Sequence, residues 1–399
     1  MTTLVGGEAR AARGDGAMRL KTGTLVVCLV AVLVAVLPGA ATGSGHVRTI
    51  VAFDPSAGQF PEGVAVDRTG NVFVSLTPLG QLMIVEPGSN EAEPFGSVPG
   101  VDPAIDVGLL GLAVDARGDV YGAVVSAAAQ GVWRFDHSTG AAERLPGTEA
   151  IPFPNGLAFD KRGNLYVTSS SEGSSPTGAL LGGVWRIARN GSVDRVLVHE
   201  ALGGLGVFRP DGAGANGIGY RHGVLYVTNT EKGTLLTVPI GRRGSVGAPS
   251  VLASGPQLVT ADGLALDVHG NVYVAAISQS TIVRVGRGGA IDVIADATDG
   301  LDWGSSMAFG TGMGERRRLY AVNYAIGPRF GSPPGAGPAL LALDVGVPRR
   351  SSEARGCPLT PRQGQARLSR HQQGGAASEL DPRGGRRAGL RRRPREGLL

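Results

Sequence analysis

The chain has 399 residues, 42% of them apolar and only 5% aromatic, with 65 Gly and 25 Pro. So much glycine beside ordinary apolar content argues against a disordered chain and for many short strands joined by tight turns. The formal charge of +5 sits at the ends: residues 349–399 carry a net +9 and residues 1–45 a net +2, which leaves a body of −6. That body has neither a basic stripe nor stacked aromatics, which excludes nucleic-acid binding. The two cysteines, Cys28 and Cys357, both lie outside it, so it has no disulfide framework and no thiolate metal site.

Residues 25–37, LVVCLVAVLVAVL, are continuously apolar; Arg19 and Lys21 precede them and PGAATGSG follows. Positive start, apolar middle and small-residue exit predict a secretory signal peptide over 1–45, cleaved near 40–44. Met18 begins a more ordinary signal, so residues 1–17 read as a misassigned start. The apolar run is short for a membrane span of about 20 residues. The expectation is a secreted protein with no membrane contact once the signal is removed, and a monomer.

Residues 46–348 repeat one pattern. PEGVAVDRTGNVFVS (61–75), LGLAVDARGDVYGA (110–123), PNGLAFDKRGNLYVT (154–168), ANGIGYRHGVLYVTN (215–229) and ADGLALDVHGNVYVA (261–275) are followed by a degraded sixth copy, SSMAFGTGMGERRRLYAVN (305–323). The glycines that anchor five copies, with Ser306 in the sixth, are spaced by 48, 45, 61, 46 and 43 residues. Each unit reads as a strand, a polar turn and a second strand. A third strand often follows (GVWRF, 131–135; TIVRV, 281–285), then a fourth (VDRVLVH, 193–199; IDVIAD, 291–296). Four strands in roughly 45 residues is the size of a propeller blade. The fold predicted is therefore all-β, a six-bladed β-propeller of four-stranded antiparallel blades.

The sixth unit lacks an outer strand, and VRTIVAF (47–53) is an orphan at the other end. This N-terminal strand is predicted to close the last blade. Residues 349–399 form a basic tail expected to be disordered.

The innermost strands of a propeller run in one direction, so their first residues gather at one mouth of the channel. Before the anchoring positions stand Glu62, Leu110, Asn155, Asn216, Asp262 and Ser305 in turn. A core-forming repeat would place similar apolar residues there, as Leu110 is. Two carboxylates and two amide oxygens meeting on one axis instead make a cation site. Ca2+ takes roughly six to eight oxygen ligands, so four side chains would leave room for water or substrate. With no His or Cys at these positions a hard ion is preferred. One divalent cation is expected at Glu62, Asn155, Asn216 and Asp262, Ca2+ in first place, with Mg2+, Mn2+ or Zn2+ open. Asp67, Asp115, Asp160 and Asp267 belong to the repeat's own turns and are read as turn-formers.

At these residues the chain resembles the gluconolactonase / senescence-marker-protein family, also called regucalcin-like. PEG (61–63), PNGLAFD (154–160), ANGIGY (215–220) and ADGLALD (261–267) look like its four metal-site segments in the same order, and the similarity covers roughly 47–345. The resemblance implies a divalent ion on those four residues and hydrolysis of a lactone or related ester, with the ion polarising the carbonyl. Asp262, ligand and neighbour, is the candidate catalytic residue, accepting a proton from water.

Phe153 stands where sugar-lactone members often carry an arginine, so a more hydrophobic lactone or ester is expected. None of the six histidines falls at the ring, so a histidine base is not evident. The long gap between Asn155 and Asn216 offers inserted loops at the mouth. Phe153, Phe208, Asp302 and Ser305 are the candidate substrate-binding residues. The alternative function is a non-catalytic ligand- or protein-binding propeller, NHL-like or strictosidine-synthase-like, with a structural metal or none.

Overall fold

A computed structural model describes residues 47–346 except Arg243 and Met313. The proposed signal peptide and the basic tail lie outside the described residues. Twenty-four strands and eight short 3-10 segments make up the regular structure, and no described helix is long and apolar enough to cross a membrane.

The described residues open on β1 (Arg48–Ala52). Blade 1 is β2 (Pro61–Val66), β3 (Val72–Leu76), β4 (Gln81–Val85) and β5 (Glu93–Ser97). Blade 2 follows with β6 (Gly108–Val114), β7 (Val120–Val125), β8 (Gly131–Phe135) and β9 (Ala142–Arg144). Blade 3 holds β10 (Pro154–Phe159), β11 (Leu165–Ser169), β12 (Gly182–Ile187) and β13 (Val193–His199). Blade 4 holds β14 (Ala215–Arg221), β15 (Val224–Asn229), β16 (Thr234–Pro239) and β17 (Ser250–Ser254). Blade 5 holds β18 (Ala261–Leu266), β19 (Val272–Ala276), β20 (Thr281–Val285) and β21 (Ile291–Ala295). In blade 6, β22 (Gly304–Phe309), β23 (Arg318–Asn323) and β24 (Ala339–Asp344) are completed by β1.

Six antiparallel sheets of four strands result, and the first strands of successive blades touch one another all the way round, β22 returning to β2. The predicted six-bladed propeller is what the chain forms. Its closure is as expected: β1 pairs antiparallel with β24, Arg48 opposite Ala342 and Ala52 opposite Ala339.

Alternation along each strand sends successive side chains to opposite faces of a blade. In β11, Leu165 and Val167 pack toward blade 2 while Tyr166 packs toward blade 4. The core is thus six apolar clusters, one between each pair of blades. The cluster between blades 6 and 1 includes Ile50, Val51 and Phe53 from the N-terminal segment, so the clasp buries apolar area as well as completing a ladder.

The turns that join first and second strands run on the repeat's aspartates. Asp67 Oδ1 accepts from the backbone N–H of Thr69, Gly70 and Asn71, and Asn71 Nδ2 donates to its Oδ2 at 2.8 Å. Asp160 and Asp267 make the same turn with Asn164 and Asn271, and Asp115 does so with backbone donors. Such side-chain closures mimic a backbone turn.

Candidate metal centre

Every innermost strand breaks register where the ring residue stands. Pairing with the second strand shifts between Pro61 and Val64, Leu109 and Leu112, Pro154 and Leu157, Ala215 and Ile218, Ala261 and Leu264, and Gly304 and Ser306. A bulge of this kind frees a residue from the ladder and re-aims its side chain. The glycine that follows permits close approach to the next blade. A Cβ at Gly156 would stand 2.6 Å from the Asn216 carbonyl oxygen, and one at Gly217 2.5 Å from that of Asp262. Only glycine fits there.

Hydroxyl groups tie these carbonyls from blade to blade. Ser75 Oγ donates to Leu110 O (2.9 Å), Thr168 Oγ1 to Asn216 O (2.5 Å) and Thr228 Oγ1 to Asp262 O (2.6 Å). Ser305 Oγ donates to Glu62 O at 2.8 Å and joins the last blade to the first.

The two amides are oriented by a second set of hydroxyls. Asn155 Nδ2 donates to Ser170 Oγ (3.2 Å), which gives its own hydrogen to Ala215 O (2.7 Å). Asn216 Nδ2 donates to Thr230 Oγ1 (3.1 Å), which donates to Ala261 O (2.8 Å). A hydroxyl has one hydrogen to give. Each therefore accepts one N–H of an amide, and the second N–H of Asn216 is available to the Asp262 carboxylate.

Glu62, Asn155, Asn216 and Asp262 line one cavity of about 60 Å³. Both carboxylates are 6% exposed. Burial raises the pKa of both: Asp262 reaches about 7, its Asn216 hydrogen bond pulling the other way, and Glu62 rises well above the usual range with Asp262's charge adding to burial. Glu62 Oε2 is buried without a hydrogen-bond partner. Two buried carboxyl groups that disfavour each other's charge, two amides tethered by hydroxyls and one orphaned carboxylate oxygen form a donor set suited to a hard cation. Beneath them Val64, Leu112, Leu157, Leu264 and Met307 line both this cavity and a larger one, about 190 Å³, toward the other end of the channel.

The candidate substrate-binding residues stand as follows. Ser305 is fully buried, and its hydroxyl goes to the Glu62 carbonyl. Asp302 is buried too: its N–H donates to Asn323 Oδ1 (2.9 Å) and its Oδ2 accepts from Gly337 N–H (2.8 Å), which pins the loop after β23. Phe153 is half-buried, and the Arg209 guanidinium lies 3.9 Å above its ring. Phe208 is 53% exposed on a loop whose N–H groups converge on the Glu231 carboxylate.

Sequence reasoning missed Ser170, Thr230 and Tyr324. All three occupy one repeat position, directly after the second strand, where the other blades have Thr77, Ser126 and Ile277. Aligning the repeats on that column would have exposed it. The Tyr324 phenol is raised by burial and by the charges of Glu62 and Asp262, so it lies within electrostatic reach of the pair.

A second group that could hold a metal ion, Asp119, Asp136 and His137, lies on the turns at the other end of blade 2, its donor atoms within 4.8 Å of one another. Its oxygens already have partners. Asp119 Oδ1 accepts from His137 N–H and lies 2.8 Å from His137 Nδ1; Arg134 is 3.8 Å from its Oδ2; Asp136 Oδ1 accepts from Ser138 and Thr139. An adjacent guanidinium and occupied lone pairs make it the poorer cation site.

Residues 107–322 match the family described as SMP-30/Gluconolactonase/LRE-like region. The chain belongs to that family, whose members include gluconolactonases. A search of the curated proteins gives no match. Among solved structures, a luciferin-regenerating enzyme is similar at 16% identity over 77% of this chain and 98% of that one, with a TM-score of 0.58. A gluconolactonase from Xanthomonas campestris gives 17%, 77% and 90%, with 0.55. A calcium-binding protein, regucalcin, from Agrobacterium tumefaciens gives 17%, 73% and 92%, with 0.54. At these identities the likeness establishes the fold.

Proposed function

We propose that the protein is a secreted, metal-dependent hydrolase of a lactone or related ester. The observation that carries this is the buried pair Glu62 and Asp262, brought from different blades into one small cavity, with Glu62 Oε2 lacking any partner. A divalent cation, Ca2+ by preference, would be held there by Glu62, Asn155, Asn216 and Asp262. When bound it would supply Lewis acidity toward a carbonyl oxygen.

The chain's own residues do the rest. Ser170 and Thr230 hold the two amides at the cavity. Asp262 accepts the proton of the attacking water; a carboxyl group with its pKa near neutrality is suited to that work. Tyr324 keeps its proton and offers a hydrogen-bond donor within electrostatic reach of the pair. Family membership supports the reaction class, and the apolar run 25–37 behind Arg19 and Lys21 supports secretion.

The test is a panel of lactones and esters assayed with Ca2+ and with chelator. Turnover that needs the ion, and that Asp262→Ala abolishes at unchanged circular dichroism, is the expected result. A protein that gains thermal stability from the ion yet hydrolyses nothing on the panel would instead be a binding propeller with a structural metal.

A further inference from the structure

Two residues ahead of the ring positions stand Phe60, Gly108, Phe153, Gly214, Thr260 and Trp303. Each of the three aromatics is covered by a side chain from a long mouth loop. The Arg209 guanidinium lies 3.9 Å above Phe153, the Arg329 guanidinium 4.5 Å above Phe60, and Phe330 stacks on Trp303 at 5.5 Å.

The two arginines differ in charge balance. Arg209 is neutralised by Asp211, through Nε–Oδ1 at 3.1 Å and Nη2–Oδ2 at 2.6 Å. Arg329 forms no ion pair with any carboxylate among the described residues, and it is exposed.

Its loop is held in place. Tyr324 N–H donates to Trp303 O and Ala325 N–H to Asp302 O, both at 3.1 Å, and Gly337 N–H reaches Asp302 Oδ2. Trp303 itself has φ +50°, a left-handed conformation that a bulky residue adopts only where its surroundings impose it. With its Cζ over the Phe60 ring, the Arg329 guanidinium has N–H donors to offer a carboxylate from the rim. A mouth floored by two carboxyl groups would otherwise repel an anion.

We infer that Arg329, seated on Phe60 two residues from Glu62, is an anion-binding subsite, and that the substrate carries a carboxylate on the same small molecule as its lactone or ester carbonyl. The substrate half of this rests on the hydrolase reading; the anion subsite does not. A guanidinium lies over each of the Phe153 and Phe60 rings, so this rim adds a charged contact to the hydrophobic one expected from Phe153.

The experiment compares a butyrolactone bearing a ring carboxylate with the same lactone bearing a carboxamide, on the Ca2+-loaded wild type, Arg329→Gln and Arg329→Lys. The wild type should prefer the carboxylate by about tenfold or more in kcat/KM, as a charge-assisted pair warrants. Arg329→Gln should lose that preference and Arg329→Lys should keep most of it. An equal preference ratio in wild type and Arg329→Gln overturns the proposal. If neither lactone turns over, the hydrolase reading fails by itself. The subsite is then read by calorimetry with pyroglutamate and its primary amide. Tighter binding of pyroglutamate that disappears in Arg329→Gln supports it; equal binding of the two, or no binding, overturns it.

Discussion

The Ser305 hydroxyl donates to the Glu62 carbonyl at 2.8 Å, a bond between residues 243 positions apart. It ties the last blade to the first at the junction that the N-terminal strand also seals, and it fixes the backbone of a carboxylate in the candidate metal centre. Architecture and site meet in that one contact.

Ser305→Ala should therefore cost about 1–3 kcal/mol, since it leaves a buried carbonyl short of its partner. Urea unfolding measures that loss. Ca2+ affinity should fall alongside, because the Glu62 backbone loses its anchor. Unchanged stability would mean that the packing of β1 alone carries the closure.

Ser170→Ala tests the geometry of the site through Ca2+ affinity. Without the hydroxyl, the Asn155 amide loses its tether. Outer partners of metal ligands are typically worth about 10–100-fold in affinity, so Ca2+ binding should weaken about tenfold or more, beside a loss of about 1–3 kcal/mol in stability from the Ala215 carbonyl left without its donor. Ser170→Thr should restore it, as blade 4 already uses Thr230 in this role.

The pH dependence of the chelated protein has a definite sign. Burial raises Asp262 from 3.8 to about 7 and lifts Glu62 in the same direction. Between the ordinary carboxylate range and neutrality the folded chain thus holds more protons than the unfolded one, so stability falls as pH rises through that window. Bound Ca2+ removes the penalty, and its stabilisation should grow with pH. Melting curves at about pH 5 and about pH 8, with Ca2+ and with chelator, test this; the Glu62→Gln/Asp262→Asn double variant should flatten both trends.

Glu231 organises the 203–214 loop. Its carboxylate accepts from the N–H of Leu205, of Gly206 (2.7 Å) and of Phe208 (2.8 Å). Burial alone would raise its pKa, but these donors outweigh burial and bring it below the usual value. Glu231→Gln halves the acceptor capacity and should cost about 1–3 kcal/mol. Amide hydrogens of Leu205, Gly206 and Phe208 should then exchange faster; unchanged protection there would assign the loop's order to other contacts.

Most of this fold was legible because the chain repeats itself. The Asp-x-x-Gly-Asn turns mark where first strands end, and the orphan segment 47–53 announced the clasp. The ring was legible for the opposite reason: the residue before each glycine varies while its surroundings do not, and variation at a fixed place in a repeat points to a site. What stayed hidden depends on contacts between distant segments. That Ser305 faces a carbonyl, that Asp302 holds Gly337, and that Arg209 and Arg329 cover Phe153 and Phe60 follow from how loops of unequal length fold over the mouth, which no spacing encodes. Ser170, Thr230 and Tyr324 fall between. Their shared column was visible, but a hydroxyl that orients an amide looks in sequence like any strand-end serine or threonine.

Calorimetric titration of Ca2+ into chelator-treated protein tests the central claim most directly. One ion per chain, with affinity lost in both Glu62→Gln and Asp262→Asn and retained in Asp119→Asn, is the result predicted. Undiminished binding in the first two variants, or no binding by the wild type, would contradict it.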